Sequence, residues 1–139
     1  MRDYSIVVIP GDGIGPEVVS SGVEVLCRTS ELYGQGLRLT QRILGGASID
    51  RFGEPCTDEV FQDARDADAV LLGAVGGPKW DDAQAKFTPE EGVLRLRSGL
   101  GLYANVRPIR VYDALVEQSP LRSEIVRGTD LVIVRELTG

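Results

Sequence analysis

The feature that most constrains this chain is the way its hydrophobic period alternates between two and 3.6. Residues 3–10, "DYSIVVIP", form a β-branched apolar run of strand type. The run breaks into Gly11, Gly13 and Gly15. Pro16 then stands at a first helical position, and Val18, Val19, Val23, Leu26 and Leu32 recur close to every 3.6 residues as far as Tyr33. In "LRLTQRIL" the period returns to two, with Leu37, Leu39, Gln41 and Ile43 on one face until Gly45 and Gly46 end it. Thr57 is placed to cap a helix that carries Asp58 and Glu59 in its first turn, where negative charge suits the helix dipole. "ADAVLLGAV" follows as an almost wholly apolar run, the form of a central parallel strand covered by helices on both faces. This β-α-β-α-β order predicts an α/β fold built on a doubly wound, mostly parallel sheet.

A strand that turns through three glycines into a helix raises the question of a dinucleotide site. The Rossmann fingerprint G-x-G-x-x-G fails here at its last position, because Gly15 is followed by Pro16. The next strand also offers only Thr40 and Gln41 where an acidic ribose ligand is needed. Composition narrows the field further. A net charge of −6 argues against a general nucleic-acid surface. No stretch approaches the roughly 18 apolar residues of a membrane span, and the amino terminus fits no signal peptide. Cys27 and Cys56 are too few and too isolated for a disulfide framework, which points to structural thiols in a reducing cytoplasm. The absence of histidine removes His-based triads and His-ligated zinc, and leaves carboxylates, Lys, Tyr and Arg for chemistry.

The second half of the chain carries the side chains suited to a ligand. "GGPKWDDAQAKF" is rich in turn formers and lies at the carboxyl end of an apolar strand, where open α/β sheets bind ligands. Thr88 and Glu91 then form a T-x-x-E capping box with Pro89 at the first helical position. On that helix Val93, Leu94 and Arg97 share a face, and Arg95 points elsewhere. An apolar pair beside a guanidinium suits a ligand with one apolar branch and one carboxylate; it equally suits a core stripe with a snorkelling Arg. Arg107 precedes Pro108 and is biased to extended backbone. "SPLRSEIVRG" reads as a second capped segment. Arg135 ends the apolar strand "DLVIV", where a charge is costly to bury unless an anion meets it, although the strand could simply emerge into solvent there.

Taken together, "IPGDGIGPEV", "LLGAVGGPKWD", "LRSGLGLYANVRPIRVY", "SPLRSEI" and "DLVIVRELTG" resemble the amino-terminal part of the β-decarboxylating dehydrogenases, the family of isocitrate and isopropylmalate dehydrogenases. The likeness covers essentially the whole chain, and "GGPKW" points to the isopropylmalate branch. It implies a truncated sheet of that type and a cytoplasmic, homodimeric parent enzyme of leucine biosynthesis. That enzyme would oxidise 3-isopropylmalate with NAD and decarboxylate it with Mg²⁺ or Mn²⁺ holding the developing enolate. The glycine loop would then be a tight strand-to-helix turn, with Ile14 touching the adenine side. Gly77, Pro78, Lys79, Trp80, Asp81 and Glu90 would meet the nicotinamide side. Arg97, Arg107 and Arg135 would hold the substrate carboxylates, and Val93 and Leu94 its isopropyl group.

By the same resemblance, residues 1–101 would be part of a first, nucleotide-side domain and 102–139 the start of a second. The catalytic Tyr and Lys, the metal-binding Asp residues and the adenosine-binding loop match positions beyond Gly139. No catalytic or metal-binding residue is therefore expected in this chain, which reads as an inactive amino-terminal fragment. Two alternatives remain open: a parent acting on isocitrate, homoisocitrate or tartrate, and a non-catalytic anion-binding or interaction module.

Overall fold

A computed structural model describes residues 3–82 and 84–137. The chain divides into two compact units, one reaching to Leu100 and one beginning at Gly101. In the first unit, strand β1 (Asp3–Gly11) leads through the glycine turn into helix α1 (Gly15–Tyr33). Strand β2 (Gly36–Gln41), helix α2 (Gly46–Phe52), helix α3 (Asp58–Asp66) and strand β3 (Ala69–Ala74) follow. A single 3₁₀ turn (Pro78–Trp80) and helix α4 (Pro89–Gly99) complete it. The three strands are parallel in the order β2-β1-β3, with Ile6 beside Leu39 on one side and Ala69 on the other.

Alternation along β1 divides the core between the two faces of the sheet. Val7 and Ile9 pack with Leu44, Cys56, Val60, Ala64 and Leu96, so α3 and α4 cover one face. Ile6 and Val8 pack with Val19, and Val23 and Leu26 of α1 close over the opposite face. This is the doubly wound arrangement expected from the alternation of periods. The strand run in "ADAVLLGAV" differs in one respect: it lies at the edge of the three-stranded sheet, and β1 takes the centre. Its apolar character reflects cover on both faces, with Val70 and Val75 in one cluster and Leu71 in the other.

β2 also stops earlier than its period suggests. Arg42 N–H still donates to Val8 O (2.9 Å). The Arg42 side chain then turns to Asp63 (2.5 Å) and Glu59 (3.3 Å) on α3, and Leu44 enters the core, so Ile43 is not part of the strand. The Thr57 cap is present, its Oγ1 accepting from Val60 N–H (3.4 Å).

In the second unit, strand β4 (Ala104–Arg110) pairs antiparallel with strand β5 (Asp130–Glu136). A 3₁₀ turn (Asp113–Gln118) and a one-turn helix α5 (Ser123–Val126) lie between them. The segment "SPLRSEIVRG" lacks the expected side-chain cap, because Arg122 holds the N-cap position of α5. No helix among the described residues is long and apolar enough to cross a membrane.

Candidate functional site

The carboxyl end of β3 and one face of α4 form a groove of about 420 Å³ lined by Leu72, Gly73, Val75, Glu90, Val93, Leu94 and Arg97. The four α4 residues stand at i, i+3, i+4 and i+7, a single stripe of the helix. Helix α4 begins where the sequence places it, with Glu91 Oε1 accepting from Thr88 N–H (3.0 Å) and from the Thr88 hydroxyl (3.3 Å). The core-facing stripe is a different one: Pro89, Gly92 and Leu96 are buried. Val93 belongs to both, packing on the core and lining the groove. Leu94 is 56% exposed and takes no part in the core.

Arg97 is half-buried and makes no ion pair among the described residues. A cation partly withdrawn from water without a carboxylate beside it is a receptive site for an anion. Its neighbour Arg95 shows the contrast. That guanidinium donates to Cys56 O (2.5 Å) and to Asp58, and lies 5.4 Å from the centre of the Phe61 ring. The Asp58 carboxylate raises the Arg95 pKa, and the side chain fastens α4 to the start of α3.

The glycine loop is a packing device. Gly11 has φ 77°, and a Cβ there would collide with the Ala74 carbonyl, so only glycine lets β1 turn this close to the end of β3. Asp12, which the sequence reading passed over, fills the turn. It is 4% exposed, and its carboxylate accepts from the amides of Gly46 (2.8 Å), Ala47 (2.7 Å) and Gly76 (2.9 Å). Ile14 stands exposed beside the start of α1.

Beyond Gly76 the loop rests on α2. Lys79 Nζ donates to Asp50 Oδ2 (2.5 Å) and Trp80 Nε1 to Asp50 Oδ1 (3.3 Å), and the Lys79 bond holds the Asp50 pKa below the usual carboxylate range. Gly77, Pro78 and Asp81 frame this turn, with Pro78 and Asp81 exposed.

In the second unit, Arg107 faces Ile133 and Arg135 faces Asn105 across the ladder, so Asn105, Arg107, Ile133 and Arg135 share one face of the β4–β5 ribbon. Arg107 Nε donates to Asn105 Oδ1 (3.2 Å). Every residue of β5 is exposed. Arg135 is exposed with the rest of that strand.

No three His, Cys, Asp or Glu side chains converge as metal ligands among the described residues, so these residues do not by themselves fit a divalent cation.

Comparisons with known proteins give the family and the fold. The sequence matches the isocitrate/isopropylmalate dehydrogenase family over residues 5–139. The chain belongs to that family. It is 57% identical over 134 residues to the 3-isopropylmalate dehydrogenase of Anaeromyxobacter dehalogenans, covering 96% of this chain and 38% of that protein. With the Aquifex aeolicus 3-isopropylmalate dehydrogenase the identity is 48%, over 99% of this chain and 38% of that protein. Among solved structures, a β-decarboxylating dehydrogenase from Thermococcus kodakarensis superposes with TM-score 0.67 at 34% identity, over 97% of this chain and 34% of its own length. The isocitrate dehydrogenase of Methylococcus capsulatus gives TM-score 0.69 at 29% identity, over 96% and 34%. The chain therefore spans well under half the length of these oxidoreductases.

Proposed function

We propose that this chain is the substrate-selecting part of an NAD-dependent 3-isopropylmalate dehydrogenase, a homodimeric enzyme of leucine biosynthesis in the cytoplasm. The observation that carries the reading is the α4 stripe, in which an apolar pair, Val93 and Leu94, stands beside the unpaired Arg97 in one groove. A 2-hydroxy diacid with a branched apolar substituent matches both halves. Arg97 takes one carboxylate through its planar fork of donors, and Arg107 and Arg135, exposed on one face of β4–β5, are assigned to the substrate's anionic end. The groove is of the size of a small acid.

NAD, where bound, supplies the hydride acceptor. The residues that fit its nicotinamide end are Glu90 at the groove rim and the Gly76–Gly77 backbone, with exposed Ile14 toward the adenine. Residues 1–101 are assigned to the nucleotide-side domain and 102–139 to the start of the second. The divalent metal of such a reaction needs ligands other than those described here, and the 139-residue chain by itself is assigned no turnover.

The experiment is a chimera in which residues 5–138 replace the matching segment of the Anaeromyxobacter enzyme. NADH formation is followed with 3-isopropylmalate, isocitrate, tartrate and malate in the presence of NAD and Mn²⁺. The highest kcat/KM is expected for 3-isopropylmalate. A folded chimera that prefers isocitrate or tartrate, or turns over none of the four, would overturn the assignment.

A further inference from the structure

The loop that follows β3, Gly76–Trp80, is held by two carboxylates from distant parts of the chain. Asp12 grips its start: one carboxylate oxygen, Oδ2, accepts from both Gly76 N–H (2.9 Å) and Gly46 N–H (2.8 Å), and Oδ1 accepts from Ala47 N–H (2.7 Å). Asp50, on the same helix α2 whose first amides Asp12 holds, grips the end of the loop through Lys79 and the Trp80 indole. Between the two, the Trp80 ring lies flat over Gly46, where a Cβ would collide with it. Gly76, with φ 96°, passes so close to α4 that a Cβ there would lie 2.5 Å from Glu90 Oε1. Gly76 thus lies beside the Glu90 carboxylate at the groove rim, and its amide is held by Asp12.

We propose that Asp12 and Asp50 are positioning residues that use α2 as a bracket to fix the Gly76–Trp80 loop against Glu90. Lys79 and Trp80 then serve the site by anchoring this loop. The inference rests on reading the α4 groove as the ligand site. A single hydrogen-bond acceptor cannot replace the Asp12 carboxylate. All three amides donate, and an Asn side chain in either orientation would turn its NH₂ toward at least one of them.

Trp80 is the chain's only tryptophan, which makes its emission a direct reporter of the clamp. The 139-residue chain is compared with Asp50→Ala and Asp12→Asn, with far-UV circular dichroism to score folding. Asp50 is exposed enough for the Ala variant to keep its fold. Expected in Asp50→Ala is a red shift of the emission and stronger acrylamide quenching at unchanged helix content. Asp12→Asn, acting from the other end of α2, is expected to produce the same change. Unchanged quenching in folded Asp50→Ala would overturn the clamp.

In the Anaeromyxobacter chimera, Asp50→Ala is expected to lower kcat/KM about 10- to 100-fold, the scale of a misplaced reacting group. The loss should appear in KM for NAD and in kcat, with KM for 3-isopropylmalate held by the intact Arg97. Equal rises in both KM values would overturn a positioning role. A chimera inactive with both carboxylates present would count against the groove reading, and the Trp80 measurement would still decide the clamp.

Discussion

Leu94 and Leu96 sit two positions apart on α4 and do opposite work, which makes selectivity and stability separable one side chain at a time. Leu94 faces the groove at 56% exposure, beside Arg97. In the chimera, Leu94→Ala should weaken kcat/KM for 3-isopropylmalate by about 10- to 200-fold, the range for part of an apolar contact, and leave malate, which lacks the branch, much less affected. Arg97→Lys should lower both substrates together, because a point charge replaces a two-pronged donor. Equal losses for the two substrates in Leu94→Ala would show that this face contacts no branch. The two thiols are separable in the same way. Cys56 is buried in the core and Cys27 only half-buried, and burial pushes the Cys56 thiol up. A raised value favours the neutral folded form, so this contribution to stability is complete below the ordinary thiol pKa and is lost as pH rises through the raised one. Iodoacetamide at pH 8 should therefore label Cys27 in the folded chain and reach Cys56 only on unfolding, as peptide mapping would show; rapid labelling of both would contradict the burial.

At the scale of elements, the two stripes of α4 decide what a change does to the fold. Leu96→Ala removes a side chain that is 4% exposed in the Val7–Ile9 cluster and should cost about 2–5 kcal/mol in urea unfolding. Leu94→Ala should stay within about 0.5 kcal/mol of the parent. A large loss in both would return Leu94 to the core. The elements that were legible in the sequence are those whose signals are local: the α1 period behind Pro16, the Thr57 cap of α3 and the Thr88–Glu91 box of α4. Helix α2 was not legible. Its N-cap is Gly45 with no side-chain bond, and its first amide is held by Asp12, 34 residues before Gly46, a partner no local pattern reports. The edge position of β3 was hidden for a related reason: cover on both faces makes a strand apolar whether or not its outer edge is paired. The α4 groove stripe was visible as Val93, Leu94 and Arg97, since helix geometry alone aligns them, whereas the two readings open for Arg135 depend on what surrounds β5, which its own sequence does not report.

At the scale of the whole molecule, unpaired strand edges and apolar surface compete with net charge. Among the described residues, the sheet order β2-β1-β3 leaves one edge of β2 and one of β3 without a strand partner, and the β4–β5 ribbon has two such edges. Val106, Ile109, Leu131, Val132, Ile133 and Val134 are all exposed on that ribbon. Unpaired backbone groups beside apolar side chains favour pairing between copies. The net charge of −6 opposes it, by a repulsion that salt screens over about 10 Å at 0.1 M. The balance predicts reversible self-association of the 139-residue chain that strengthens with both protein and salt concentration. Val134→Lys should weaken it by placing a charge on the face that Val134 shares with Val106. Sedimentation velocity at low and high salt measures each effect, with a dye that fluoresces on apolar surface as a second reading. A single monomeric species at every concentration, with no dye response and no change in Val134→Lys, would mean that the charge dominates and that these edges are inert in water.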